Sequence, residues 1–236
     1  FLGTVIGPTG GGKTYYAISA CEEISRQNKV HFGTENIVFS LNELMILVNS
    51  AKLKKGSCII FDEPQVSISN REFQSKANKV FNYLLTTFRH RNFILFFCTP
   101  YEDLLDKTSR KLFHAKFTMR GIDKKAKVSK AQPLELQYNS QKGKFYNKYL
   151  RVYFKPRNKD KYTFQKVKSW VLPLADKDIL HKYEAKKLAF TKDLNIEIEM
   201  ELDADNKRKQ KEAGRKPLTD IQDQTYRLLI ENEWNI

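Results

Sequence analysis

Apolar residues fall into two kinds of pattern along this chain. Short, largely apolar runs recur at Leu2–Ile6, Cys58–Phe61 and Phe93–Cys98. Runs of that length, bounded by polar or turn residues, predict strands buried on both faces. Asn36–Phe39 predicts one more short strand. The stretches between carry the three- and four-residue spacing of helices. One helix is expected to begin near Lys13 and to run through Tyr15–Arg26. A second is expected over Leu41–Lys52, opened by Ser40 with Glu43 as the return partner of a capping box. In a third, Ala77, Val80, Phe81, Leu84, Leu85 and Phe88 form one apolar face, after a loop at Pro64–Ser75. A fourth covers Tyr101–Leu112. Phe113–Met119 alternates, with Ala115, Phe117 and Met119 on one side, and reads as a half-buried strand. Strands alternating with helices predict an α/β fold with a mostly parallel sheet flanked by helices.

The second half of the chain is patterned differently. Tyr149–Phe154 and Tyr162–Leu172 read as two strands joined by Pro156-Arg157-Asn158-Lys159-Asp160, a basic β-hairpin. Asp176–Phe190 reads as a helix. Asn195–Asp205 is acidic, without Lys or Arg, whereas Lys207–Lys216 is basic and contains Gly214. That shift predicts a charged linker over 193–217, after a domain spanning 1–192. Thr219 and Gln222 then form a second capping box, and Ile221, Leu228 and Leu229 give the following helix one apolar face. One helix cannot bury such a face alone. Residues 218–236 are therefore expected to be the first helix of a further helical module. Because the chain opens on Phe1, an upstream segment is also expected.

Composition sharpens this picture. The 236 residues are 41% hydrophobic, enough for a real core, and the formal net charge is +15. Such an excess favours an anionic partner, either nucleic acid or a membrane surface. It is concentrated: Lys107–Lys130 holds nine basic residues and one acidic, and Lys142–Lys168 holds ten and one. Within the second stretch lysines alternate with aromatics (Lys144, Phe145, Tyr146, Lys148, Tyr149), which suits phosphate contact combined with stacking, although lysines also guard exposed strand edges. Cys21, Cys58 and Cys98 are widely spaced, which points to reduced thiols in a reducing, cytoplasmic setting rather than a disulfide framework. No apolar run reaches the ~18 residues of a membrane span.

The chemistry is concentrated at two strand ends. Leu2–Ile6 leads directly into Gly7-Pro8-Thr9-Gly10-Gly11-Gly12-Lys13-Thr14, the G-x-x-x-x-G-K-T phosphate-binding pattern. Its glycines let the backbone curl and aim N–H groups inward, and the helix that follows turns its positive end to the same point. Residues Gly7 to Tyr15 are therefore the candidate nucleotide cradle. Lys13 is expected to reach the β- and γ-phosphates, and the Thr14 hydroxyl to ligate Mg²⁺. The strand Cys58–Phe61 runs into Asp62-Glu63. Asp62 is the candidate for holding hydrated Mg²⁺, and Glu63 for orienting or deprotonating the attacking water. Thr99, at the end of Phe93–Cys98, is expected beside that acidic pair. It could sense the γ-phosphate, or it could close the turn before Pro100.

The two nucleotide motifs alone place the chain among P-loop NTPases. The stretch Phe88-Arg89-His90-Arg91-Asn92-Phe93-Ile94-Leu95-Phe96-Phe97-Cys98-Thr99-Pro100, followed by Asp106, Lys107 and Arg110, resembles the zonula occludens toxin (Zot)-like ATPases. These include the assembly ATPases of filamentous phages and are related to the FtsK–HerA DNA pumps. The resemblance covers about residues 1–190. It implies a RecA-like core that hydrolyses ATP between subunits of a homo-oligomeric ring, usually a hexamer. It also implies an arginine acting in trans, for which Arg89, Arg91 and Arg110 are the candidates. FtsK–HerA pumps usually carry Gln where this chain has Thr99. Zot proteins carry a membrane span after the ATPase domain, and no such run follows here. The C-terminal stretch is instead similar to the start of a helix-turn-helix module. The expected function is therefore an ATP-driven motor acting on DNA, with double-stranded DNA as the load, in packaging, translocation or transfer by a virus or mobile element. The alternatives are a membrane-associated assembly ATPase with membrane or virion proteins as partners, and a DNA-binding switch set by ATP.

Overall fold

The computed structural model describes residues 1–64, 91–102, 110–157, 161–213 and 227. The predicted loop at Pro64–Ser75 beyond Pro64, the predicted helix at Ala77–Phe88, most of Tyr101–Leu112 and nearly all of the C-terminal module lie outside them. The chain divides into two units, Phe1–Lys187 and Leu188–Ile236. The first holds a mixed eight-stranded sheet.

Five strands of that sheet are parallel. They are β1 (Leu2–Ile6), β2 (Ile37–Val38), β3 (Cys58–Asp62), β4 (Ile94–Thr99) and β5 (Ala115–Asp123), lying side by side in the order β5-β1-β4-β3-β2. The order puts β4 between β1 and β3, so the carboxyl ends of all three meet at one rim. In register, Ile6 pairs with Thr99 and Asp62 with Cys98. Strand order and rim together give a RecA-like P-loop architecture, an α/β fold with a mostly parallel central sheet.

The apolar runs are strands because both of their faces are covered. On one face Ile59, Phe61, Leu95 and Phe97 join Leu2, Val38 and Phe113. Leu44 and Val48 of helix α2 (Leu41–Asn49) close that cluster. On the other face lies helix α1 (Lys13–Asn28), with Tyr16, Ala17, Ile18 and Ala20 buried. Phe61, Phe96 and Phe97 are all at or below 1% exposed. Each contributes about 1.5–3 kcal/mol of burial, so the rim rests on a stiff platform.

Local signals set the boundaries. Ser40 Oγ accepts from the Glu43 N–H at 3.1 Å, as its sequence pattern predicts, while Glu43 Oε2 reaches back one residue further, to the Phe39 N–H at 2.9 Å. Helix α2 ends at Asn49 rather than Lys52, because Ser50 leaves helical geometry and its Oγ donates to the Leu47 carbonyl at 2.7 Å. Strand β5 runs on past Met119 to Asp123 through a bulge at Arg120, where Gly121 takes a φ of 110°.

Beyond β5 the sheet turns antiparallel. The long strand β6 (Val128–Asn139) pairs along one edge with β5 and along the other with two strands in succession: β10 (Trp170–Pro173) over Val128–Ala131, then β7 (Lys144–Tyr149) over Leu134–Asn139. Pro133, which has no N–H to donate, falls between these two pairings. A separate two-stranded sheet joins β8 (Arg151–Phe154) to β9 (Thr163–Lys166). This is the basic hairpin expected from the sequence, with one correction. The run Tyr162–Leu172 is not one strand. It pairs with β8 as far as Lys166, and Trp170–Pro173 then returns to β6.

Helix α3 spans Lys177–Ala213. The predicted helix Asp176–Phe190 therefore runs on to Ala213, so residues 193–213 of the predicted charged linker are helical. The physical reason is that no Gly or Pro lies between Pro173 and Gly214, and Glu, Met, Leu, Ala, Lys and Gln are good helix formers.

Candidate nucleotide site

The loop between β1 and α1 has the backbone its glycines suggest. Gly10 and Gly12 have φ of 75° and 80°. The Gly11 N–H donates to the Pro8 carbonyl at 2.9 Å, closing the turn. Gly12 is the N-cap of α1 and offers no side chain to the first helical N–H groups, so these are left for a ligand. A Cβ on Gly12 would stand 2.3 Å from Ile122 Cδ1, and one on Gly7 2.8 Å from Met119 Cβ. Strand β5 thus forms the wall against which the loop is pressed. Pro8 and Thr9 are exposed at its crest. Lys13 is 6% exposed, and its Nζ donates to the Pro8 carbonyl at 3.1 Å, lying across the loop.

The two motifs meet. Thr14 Oγ1 donates to Asp62 Oδ1 at 2.7 Å, across 48 residues of sequence. Asp62 is 1% exposed. Glu63, one residue beyond β3, takes a φ of 49°, a left-handed conformation that costs a non-glycine residue about 1–2 kcal/mol. Its N–H donates to the Cys98 carbonyl at 3.0 Å. That bond anchors the turn and holds the strained residue at the rim, the kind of place where backbone strain gathers at working sites. Thr99 is fully buried between β1 and the acidic end of β3, and its hydroxyl donates to the Tyr101 carbonyl at 3.0 Å. That is the turn-closing role.

Two residues not foreseen from the sequence complete the site. Tyr183 donates its hydroxyl to Asp62 Oδ2 at 2.8 Å. Lys187 places Nζ 3.1 Å from the same oxygen and 3.4 Å from Glu63 Oε1. Both stand on the first turns of α3, within the first unit. Burial, then the Asp62 charge, push the Tyr183 hydroxyl well above the ordinary tyrosine range, so it stays a donor. Burial pulls Lys187 down, but Asp62 and Glu63 outweigh it and hold the ammonium above its ordinary value. Cys98 lies in the strand between the two motifs; burial first, and then Asp62, push its thiol well up, so it is an inert core thiol. Tyr183 and Lys187 are four residues apart, so the sequence does place them on one helix face. Nothing in it says which strand end that face meets.

The remaining candidates are spread out. The Tyr15 hydroxyl donates to Glu184 Oε1 at 2.7 Å, toward α3. Arg91 Nη1 donates to the Val48 carbonyl at 2.9 Å, at the C-terminal end of α2, where a cation suits the helix dipole. Arg110 lies 6.0 Å above the Phe145 ring of β7. Arg89, Asp106 and Lys107 lie outside the described residues.

The donor set fits Mg²⁺. Thr14 and Asp62 supply hard oxygens side by side, and Mg²⁺ binds through one or two protein oxygens with phosphate and water completing the shell. Among the described residues no cluster of three His, Cys, Asp or Glu could hold a metal by itself. A cation here would thus depend on phosphate and water oxygens.

Fold and site together define a P-loop NTPase domain. No family model matches the chain, and no curated protein does. Among solved structures, the N-terminal domain of zonular occludens toxin from Neisseria meningitidis is similar over 62% of this chain and 92% of its own, at 17% identity and a TM-score of 0.40. The FIGL-1 AAA domain, solved in complex with ADP, is similar over 50% of this chain and 42% of its own, at 22% identity and a TM-score of 0.37. The fold assignment rests on the β5-β1-β4-β3-β2 order and the geometry of the loop. No helix among the described residues is long and apolar enough to cross a membrane.

Proposed function

We propose that this chain hydrolyses ATP with Mg²⁺ and uses the cycle to move DNA. The observation that carries the reading is the 2.7 Å contact between Thr14 and Asp62, which joins the phosphate loop to the acidic strand end in one site. Gly10 and Gly12 curve the loop around the phosphates, and Lys13 exchanges the Pro8 carbonyl for phosphate oxygens. Thr14 and Asp62 would hold the metal. When bound, Mg²⁺ offsets charge on the β- and γ-phosphate oxygens. Glu63, fixed by its backbone bond to Cys98, orients the attacking water and accepts its proton. A neighbouring copy in a ring supplies an arginine to the γ-phosphate. Arg89, Arg91 and Arg110 are the candidates, and Arg91 already donates to the Val48 carbonyl of α2.

DNA as the load is supported by charge and by the antiparallel wing. Tyr146, Tyr149, Tyr153 and Phe164 are 40–62% exposed, among the basic residues of β7, β8 and β9. Arg151 covers the Phe164 ring at 4.6 Å. Cationic and aromatic groups on one surface suit phosphate contact with stacking. The test is steady-state ATP hydrolysis with and without double-stranded DNA, at low and moderate salt. Stimulation that fades with salt is the expected result. Hydrolysis indifferent to DNA at every salt would shift the load to a protein partner.

A further inference from the structure

The acidic pair at the end of β3 already has a cation from its own chain. Asp62 is buried, and both of its oxygens are engaged: Oδ1 by Thr14 at 2.7 Å, Oδ2 by Tyr183 at 2.8 Å and Lys187 at 3.1 Å. A buried carboxylate without compensation is costly, and here the compensation is internal. Asp62 is also the carboxylate assigned to the metal. A divalent ion bound there and an ammonium 3.1 Å from the same carboxylate are like charges at close range, so the two compete.

We propose that Lys187 is a positioning residue that acts as the resident counter-ion of the metal site, offsetting one of the two negative charges of Asp62 and Glu63 and giving way to Mg²⁺. This rests on the reading of the site as a Mg²⁺–ATP centre. The neighbouring contacts leave room for a side-chain exchange without loss of the helix. Glu184 is held by Tyr15, Lys186 is bonded to the Ile37 carbonyl, and the Tyr183 ring stacks on Phe39. Lys187, 31% exposed on a flexible four-carbon stem, can swing outward while those contacts stay. Nucleotide loading would then require the metal to displace a cation, which sets a threshold on Mg²⁺.

The test uses the full chain and a fluorescent ADP analogue, with binding followed as Mg²⁺ is titrated. Lys187→Met should lower the Mg²⁺ concentration for half-saturation by about tenfold, the scale of one neighbouring charge. Lys187→Arg should keep the wild-type requirement. In EDTA the Met variant should melt below the wild type and recover with Mg²⁺ and ADP. If the Met variant does not fold, Lys187→Gln carries the same expectation. On the unmodified chain, Mg²⁺ added to ADP should quicken acetylation of Lys187, read by mass spectrometry. A half-saturation that is unchanged or raised in a charge-free variant, or acetylation that Mg²⁺ leaves unchanged or slows, overturns the proposal alone. Failure of the wild type to bind nucleotide at any Mg²⁺ concentration overturns it together with the ATPase reading.

Discussion

In β3 every residue is buried, and in β8 and β9 every residue is exposed. The parallel strands are held by side chains packed on both faces. The outer strands are held by backbone pairing, and their side chains face outward. Stability and the nucleotide site therefore sit in one region, and the surface available to a partner in another. The two can therefore be broken separately.

The largest separation should come from Lys13→Ala. Loss of the Lys13 ammonium should cut ATP hydrolysis by about a hundredfold to a thousandfold, on the scale of removing a preorganised electrostatic group. The melting temperature should stay within a few degrees, because the Lys13 ammonium bonds to the Pro8 carbonyl of its own loop and ties no second element to it. DNA binding through the wing should persist, as read by fluorescence anisotropy.

Next come paired truncations, one in each region. Phe61→Ala removes a fully buried ring and should cost about 3–5 kcal/mol in urea denaturation. Phe164→Ala removes one that is 46% exposed and should stay within about 0.5 kcal/mol. Equal losses would mean that the wing is part of the core after all.

Smaller effects should appear in DNA affinity. Tyr153→Ala and Phe164→Ala should each weaken single-stranded DNA binding by about 1–3 kcal/mol, because only an unpaired base can stack on the ring. Lys144→Gln with Lys148→Gln should weaken binding across sequences. On duplex DNA the pair should also flatten the salt dependence, by about 0.9 in slope for each phosphate no longer neutralised. None of the four should alter hydrolysis measured without DNA.

The same contrast explains what could be read from the sequence. Strands β1, β3 and β4 are legible because parallel strands with two covered faces must be continuously apolar. Gly7–Thr14 and Asp62-Glu63 are legible because phosphate and metal chemistry allows few residue types at fixed spacing. Strand β6 is not. Its buried positions are Ser129, Ala131 and Pro133, so no large apolar alternation marks it. The run of helix through 193–213 is hidden by its charge blocks, which resemble those of a linker, although its helix formers are uninterrupted. Tyr183 and Lys187 are invisible for another reason. Their role depends on which face of α3 meets β3, a tertiary fact that helical spacing does not contain.

In the proposed mechanism Lys13, Thr14, Asp62 and Glu63 form one hydrolytic centre with Glu63 as its base. Glu63→Gln tests it most directly, in a single-turnover experiment that follows bound ATP and released phosphate together. The variant is expected to bind ATP with Mg²⁺ as the wild type does and to keep it unhydrolysed. Phosphate release at the wild-type rate would contradict it.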